Sequence, residues 1–353
     1  MHQLDDTPSF IAEGLARRAS DWHLTEGERI FCRVEGELRS MNFTATREVI
    51  CSILGRDPER VEVERHIDGS FTVDGEFFRL NGFLSRGRIS MAIRHLERKM
   101  RSLKELGVPA KFTDLLARRS GILLVTGSTG SGKTTSLTAA VDYLNHTQSG
   151  VLITLEDPIE YLHESHRCII RQREYRKDFH SFPDAIVAAM RQDPDYLVVA
   201  EMRDYQTISA ALTLAETGHL VLSTLHSATA ADAITRILDA VPDSDKSQQR
   251  SILSKSLLGV LSQQLLPSPS GRRIGVFELM VNTTAISALI REGRFGNIVS
   301  DMSSGSRDGM VTMDQSLEDL VRAGKLSREV ALANATNPKF LADKLPRGSL
   351  QRA

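Results

Sequence analysis

The sequence predicts an α/β protein in two domains, the second built on a mostly parallel sheet. Three observations point there. Four short runs, ILLV at 122–125, VLITL at 151–155, YLVVA at 196–200 and LVLST at 220–224, are continuous in Val, Ile and Leu rather than alternating. That is the pattern of strands covered on both faces. Between them lie helix-like stretches, TTSLTAAVDYLN, FPDAIVAAMRQ and YQTISAALTLAETG, and strand–helix alternation implies parallel pairing. At 353 residues the chain is long for one core and comfortable for two.

Taken in order, residues 1–100 mix short strand-like and helical patterns and form the N-terminal α/β domain. RIFCRVEGELRSM reads as two strands around a turn at Glu35-Gly36, and GSFTVDGEFFRLNGFLSR as a second hairpin turning at Asp74-Gly75. The charged segment that follows contains Gly107 and Pro109, and residues 101–112 are expected to connect the domains. The second domain spans 113–338 and ends in a helical part. Residues 339–353 carry little apolar mass and are expected to fray.

Composition excludes several classes. With 41% apolar and 25% charged residues the chain is an ordinary globular one. A net charge of -1 and the lack of an aromatic-plus-basic stripe argue against nucleic acid as a partner. The first twenty residues have early acids and no apolar core, so no secretory signal is expected, nor any membrane span. Cys32, Cys51 and Cys168 form neither a CxxC pair nor a disulfide framework, which fits a reducing cytosol and structural thiols.

The strongest local signal is GSTGSGKT, residues 127–134, which matches G-x-x-x-x-G-K-[ST] between a strand and a helical pattern. Gly127, Gly130 and Gly132 let the backbone turn so that the N–H groups of the loop, with Ser128, Thr129 and Ser131, face one anion. Lys133 would reach the β- and γ-phosphates, Thr134 would place its hydroxyl on Mg²⁺, and Thr135 follows in the first helical turn.

The other three strands end in polar residues. VLITL runs into Glu156 and Asp157, YLVVA into Glu201, and LVLST into His226. Each has an ordinary structural explanation alone, a cap or a loop. Ligands of open parallel sheets bind beyond the carboxyl ends of the strands, so together they aim at the phosphate loop. Hydrolysis needs one carboxylate to orient or deprotonate water and another to hold the water shell of Mg²⁺. Glu201, on the strand expected beside the loop strand, suits the first role; Glu156 and Asp157, from the adjacent tip, suit the second. His226 would sense or hydrogen-bond the γ-phosphate.

In order and spacing, GSTGSGKTT, ITLEDPIEY, RQDPDYLVVAEMRD and AETGHLVLSTLHS resemble the Walker A, Asp-box, Walker B and His-box of the bacterial type II/IV secretion ATPases. The resemblance implies a RecA-like P-loop domain over 113–338, and ASDWHLTEGERIFCRVEG implies a PAS-like N-terminal domain. In that family the Walker B strand ends in the catalytic glutamate, which gives Glu201 that role; Ala200 replaces the usual glycine. TTAISALIREGR, 283–294, and GMVTMDQSLEDLVRAGKLSREVAL resemble the pilus-retraction (PilT) branch, with Ser287 in place of its usual arginine. The assembly branch carries a four-Cys zinc module, but no Cys follows Cys168, so no structural metal is expected.

The resemblance further implies a cytoplasmic homo-hexamer, peripheral to the inner membrane and docked on a platform protein, that uses ATP and Mg²⁺ to retract a type IV pilus. Arginines from the N-terminal domain of one subunit would reach the nucleotide of another. Of Arg79, Arg86, Arg88 and Arg94, the pair Arg79 and Arg94 is favoured. Two alternatives stay open: an ATPase of a conjugation or type IVB secretion channel (DotB/TraJ type), and a nucleotide switch without turnover.

Overall fold

The computed structural model describes residues 2–4, 6–55, 65–96 and 100–345. It divides into two compact units, Met1–Lys99 with Glu160–Leu162, and Met100–Ile159 with His163–Ala353.

The first unit holds a seven-stranded sheet in the order β1-β5-β6-β7-β2-β3-β4. Its strands are β1 His2–Gln3, β2 Ala19–Thr25, β3 Arg29–Val34, β4 Glu37–Thr44, β5 His66–Val73, β6 Glu76–Ser85 and β7 Arg88–Leu96. Both expected hairpins are present, with Glu35 and Gly36 at φ 51° and 88°, and Asp74 and Gly75 at 48° and 77°. Arg86-Gly87, at 52° and 76°, makes a third turn of the same kind that its sequence did not announce. Positive φ at both central positions is what two-residue hairpin loops require. The core gathers on Trp22, whose ring meets Phe78 edge-on at 5.8 Å, while Phe71 stacks on Phe78 at 4.9 Å. The Trp22 indole N–H donates to the Phe10 carbonyl at 3.2 Å, so the buried ring leaves no polar atom unpaired. A Cβ on Gly14 would stand 2.4 Å from that indole nitrogen, so the helix Ser9–Ala16 crosses the ring on a glycine.

The second unit carries the other sheet, in the order β10-β9-β11-β12-β8-β13-β14. Here β8 is Gly121–Thr126, β9 Gly150–Glu156, β10 Cys168–Glu174, β11 Tyr196–Val199, β12 Leu220–Leu225, β13 Leu257–Pro267 and β14 Arg273–Val281. All neighbours pair parallel except β13 with β14. The α/β class and mostly parallel sheet are as expected, and the four apolar runs are β8, β9, β11 and β12. Every residue of β8, β11 and β12 is buried, because helices cover both faces. Ile122 and Leu124 pack into one layer with Ile208, Ile234 and Leu253, while Leu123 and Val125 pack into the other with Leu137, Val141 and Phe112.

The segment read as a connection folds onto this second unit. A Ser102–Glu105 capping box starts the helix Leu103–Leu106, and Leu103 and Phe112 are buried in the core. The tail expectation needs correction. Residues Pro338–Lys344 form a helix, with Asn337 accepting from Phe340 N–H at 3.2 Å; residues 346–353 lie outside the described residues. Leu341 and Leu345, four residues apart, are both buried with Leu317 and Ala331. Arg328 donates to the carbonyls of Ala342 and Leu345, both at 3.0 Å, which holds the helix end. Two well-placed leucines and a distant arginine outweigh the low apolar content. All three cysteines are free thiols; Cys32 and Cys168 are buried and Cys51 is half-buried.

Candidate active site

The phosphate loop grows out of β8. Gly127 has no room for a side chain, since a Cβ would lie 2.4 Å from the Gln263 carbonyl oxygen and 2.5 Å from Ser131 Oγ. Gly132, at φ 90°, opens the helix Lys133–Thr147 and gives it no side-chain cap. The N–H groups of that first turn are therefore left to a ligand, and the helix dipole favours an anion. Gln263 on β13 steadies the loop by donating Nε2–H to the Ser131 carbonyl at 2.7 Å. Ser131 Oγ is buried with no hydrogen-bond partner among the described residues, a polar atom that a phosphate oxygen would satisfy. These features fit a nucleotide phosphate on the loop.

Lys133 is folded back on the loop. Its Nζ donates to the carbonyls of Gly127 at 2.9 Å and Ser128 at 3.0 Å, and lies 3.4 Å from His226 Nδ1. Burial pulls its ammonium below the ordinary lysine value, with the Glu201 carboxylate opposing. The other ring nitrogen of His226, Nε2, is 3.4 Å from Glu201 Oε1. The structure thus brings Lys133, His226 and Glu201 into one row. Glu201 Oε2 also accepts both Nε–H of Arg203 at 2.9 Å and Nη2–H at 2.8 Å. That hydrogen bond and charge raise the Arg203 pKa, and Asp157 adds to the attraction.

One expectation about Glu201 is overturned. Its strand β11 does not lie beside the loop strand β8; β12 does, and β11 stands between β12 and β9. Chain order cannot reveal this, because each parallel crossover is free to skip a place. The consequence is chemical: the strand that ends near His226 separates Glu201 from the loop, which explains why His226 bridges to Lys133. Glu156, at the end of β9, is beside β11 as expected. Its Oε1 accepts from Thr154 Oγ at 2.6 Å and from Gln172 Nε2 at 2.9 Å. Thr134 is exposed at the mouth of the loop and Asp157 follows Glu156 directly. Oxygen donors of this kind suit Mg²⁺, a hard cation that keeps much of its water shell.

Arg79 and Arg94 belong to the first unit, where they sit opposite each other on β6 and β7. The Arg94 guanidinium donates Nε–H to Asp21 at 2.7 Å; burial pushes the Asp21 carboxyl up, but the Ser20 hydroxyl, donating at 2.7 Å, and the Arg94 hydrogen bond and charge hold it below the usual carboxylate value. Residues that the sequence reading missed are Gln263, Gln172 and Glu278. For Gln263 and Glu278 the available signal was a polar side chain inside an apolar strand, as in VLSQQLL and VFELMV; Gln172, in CIIRQRE, had no such setting. Asp204, by contrast, is a helix cap that accepts from Thr207 N–H at 2.8 Å.

Residues 8–330 match the family described as Type II/IV secretion system protein. The chain is 40% identical to the type IV pilus retractation ATPase PilT of Pseudomonas aeruginosa over 342 residues, 95% of this chain and 99% of that one. The crystal structure of the pilus retraction motor PilT with bound ADP superimposes with a TM-score of 0.88 at 39% identity, covering 95% of this chain and 98% of that one. The ATPase DotB of Legionella pneumophila matches with a TM-score of 0.76 at 26% identity, covering 95% and 100%. With its motifs in one row of strand ends and a likeness that runs almost end to end, the chain belongs to the type II/IV secretion system protein family.

Proposed function

We propose that this chain is an ATPase that drives retraction of a type IV pilus, and that the row Lys133, His226 and Glu201 at the phosphate loop is its hydrolytic centre. The near full-length likeness to a retraction ATPase supports the biological half of this reading. Lys133 leaves the Gly127 and Ser128 carbonyls for the β- and γ-phosphates, while the loop N–H groups and the helix N-terminus hold the remaining phosphate charge. Mg²⁺, when bound, would offset phosphate charge. Thr134 and Asp157 serve its shell, and Glu156, fixed by Thr154 and Gln172, keeps the neighbouring strand end in place. Glu201 draws the proton from the attacking water once a γ-phosphate engages His226; the bond from the γ-phosphorus to the ADP oxygen breaks, and Lys133 returns to the loop carbonyls once both phosphate and ADP have left. No helix among the described residues is long and apolar enough to cross a membrane. We assign the chain to the cytoplasmic side of the inner membrane, as a homo-hexamer on a platform protein. A role at a secretion channel is the second reading, favoured by the DotB likeness.

Deleting the gene is expected to abolish pilus retraction while leaving piliated cells; normal retraction with impaired secretion or conjugation would select the second reading. Within the hexamer, Arg94 and Arg79 act on the nucleotide of a neighbouring copy. An Arg94→Ala protein mixed with a Lys133→Ala protein should then regain ATPase activity, since some interfaces combine an intact loop with an intact arginine. No recovery at any mixing ratio counts against action in trans.

A further inference from the structure

Glu278 lies in the middle of β14, 4% exposed, and hydrolysis as described above makes no use of it. Its Oε1 accepts the N–H of Ala230 at 2.9 Å and its Oε2 the N–H of Met313 at 3.3 Å. Ala230 is the first residue of the helix Ala230–Asp239, which follows the His226 turn, and Met313 is the first residue of the helix Met313–Arg322. We propose that Glu278 is a positioning residue for turnover, locking the His226 turn to the C-terminal helical part through these two bonds.

Three observations carry this. First, both helices have their own capping side chain, and Glu278 takes up the first-residue N–H groups that those caps leave free. Thr229 already accepts from Asp232 N–H at 3.1 Å, and Thr312 from Gln315 N–H at 3.3 Å within a capping box. What Glu278 adds is a relation between two helices whose first residues are far apart in sequence. Second, the turn is gripped from both ends. Ser227 N–H donates to Thr126 Oγ at 3.0 Å, at the end of the loop strand, and Ala230 N–H donates to Glu278. Arg236 completes the hold by donating to the His226 carbonyl at 2.9 Å. His226, the residue just before Ser227, faces Lys133 and Glu201, each at 3.4 Å. Third, the far arm is rigid: Leu279 and Val311 exchange backbone hydrogen bonds of 2.8 and 3.0 Å, so helix Met313–Arg322 starts from a fixed point on β14. A buried carboxylate is costly, and burial raises the Glu278 pKa against its two N–H donors. An apolar residue would pack there more cheaply, which suits a residue retained for geometry.

The inference rests on His226 acting in turnover, so His226→Ala is assayed alongside. The full-length protein is compared as wild type, Glu278→Gln, Thr312→Val and Ala230→Pro. Gln keeps one accepting oxygen and turns the other arm into a donor facing an N–H. Proline at the first helical position removes the Ala230 N–H and suits a backbone whose preceding residue, Thr229, is extended, but it adds ring atoms at a buried site, so its Tm is measured beside its kcat. Thr312→Val removes a cap from helix Met313–Arg322 and leaves both Glu278 bonds in place. Glu278→Gln and Ala230→Pro are expected to lower kcat about tenfold with KM for ATP within about twofold, because a misplaced His226 affects turnover and the loop still binds. Thr312→Val should lower Tm with kcat unchanged. Wild-type kcat in Glu278→Gln, or an equal kcat loss in Thr312→Val at equal Tm, overturns the inference. Should Glu278→Gln not fold, Ala230→Pro decides. A normal His226→Ala instead removes the reading of His226, whereas a slow His226→Ala beside a normal Glu278→Gln removes only the coupling.

Discussion

Glu201→Gln is expected to lower ATP turnover about a thousandfold while ATP binding stays within a few-fold of wild type. The substitution keeps the size of the side chain and one accepting oxygen, so β11 and its neighbours are undisturbed. It removes the group able to take a proton from water. The fold should barely notice. The partner of Glu201, Arg203, is 68% exposed, and an exposed ion pair contributes only about 0–1 kcal/mol in water. The His226 contact, at 3.4 Å, is weaker than a normal hydrogen bond. Single-turnover hydrolysis and nucleotide titration on the same preparation separate the two effects. Turnover within a few-fold of wild type would show that another group is the base. Equal losses in binding and turnover would instead mark Glu201 as part of the phosphate cradle.

Much of this centre was legible because its strands are buried on both faces. Continuous runs such as ILLV and LVLST cannot be amphipathic helices or half-exposed strands, and the polar residues that end them can only lie at the sheet's edge in one direction. The phosphate loop was legible for a different reason: Gly127 touches the Gln263 carbonyl and Ser131, so the glycine spacing is a record of close backbone approach. Two kinds of fact stayed hidden. Lateral strand order depends on crossovers that the chain does not encode locally, so the insertion of β12 between β8 and β11 had to be seen. Long-range partners were equally invisible. Glu278 in VFELMV reads as an oddity until its two N–H donors, 48 and 35 residues away, are in place. The edge strand β10 was missed because only its end residues are buried and its exposed and half-buried middle includes Arg171 and Arg173, which disguise it as loop. Helix Pro338–Lys344 was missed because its stabilising contacts come from Arg328 and the core around Leu317, outside its own sequence.

Lys133→Ala is expected to abolish turnover and to weaken ADP and ATP binding about a hundredfold, the worth of one or two charge-assisted hydrogen bonds in a partly buried site. The ammonium now rests on the Gly127 and Ser128 carbonyls. Those two dipoles replace a counter-charge only in part, which is why burial depresses the Lys133 pKa even with Glu201 nearby. A phosphate supplies the full counter-charge. Linkage makes the loss measurable without catalysis. At a nucleotide concentration of one hundred times the wild-type Kd, the folded wild type gains about 2.7 kcal/mol, whereas a hundredfold weaker site gains about 0.4 kcal/mol. A thermal melt with and without ADP should therefore show a clear upward shift in wild type and almost none in Lys133→Ala. Equal shifts would place the phosphates somewhere other than Gly127–Thr135. In the unliganded protein the same depression makes stability depend on pH. A lysine whose folded pKa lies below its unfolded value leaves the folded state holding fewer protons at alkaline pH. Stability therefore rises with pH between the depressed value and the ordinary lysine value of 10.5. Lys133→Ala should remove that rise, and ADP, by pairing the ammonium, should remove it from wild type as well. The same lysine that costs the empty loop stability then gives the filled loop its grip, so an empty site is biased toward refilling.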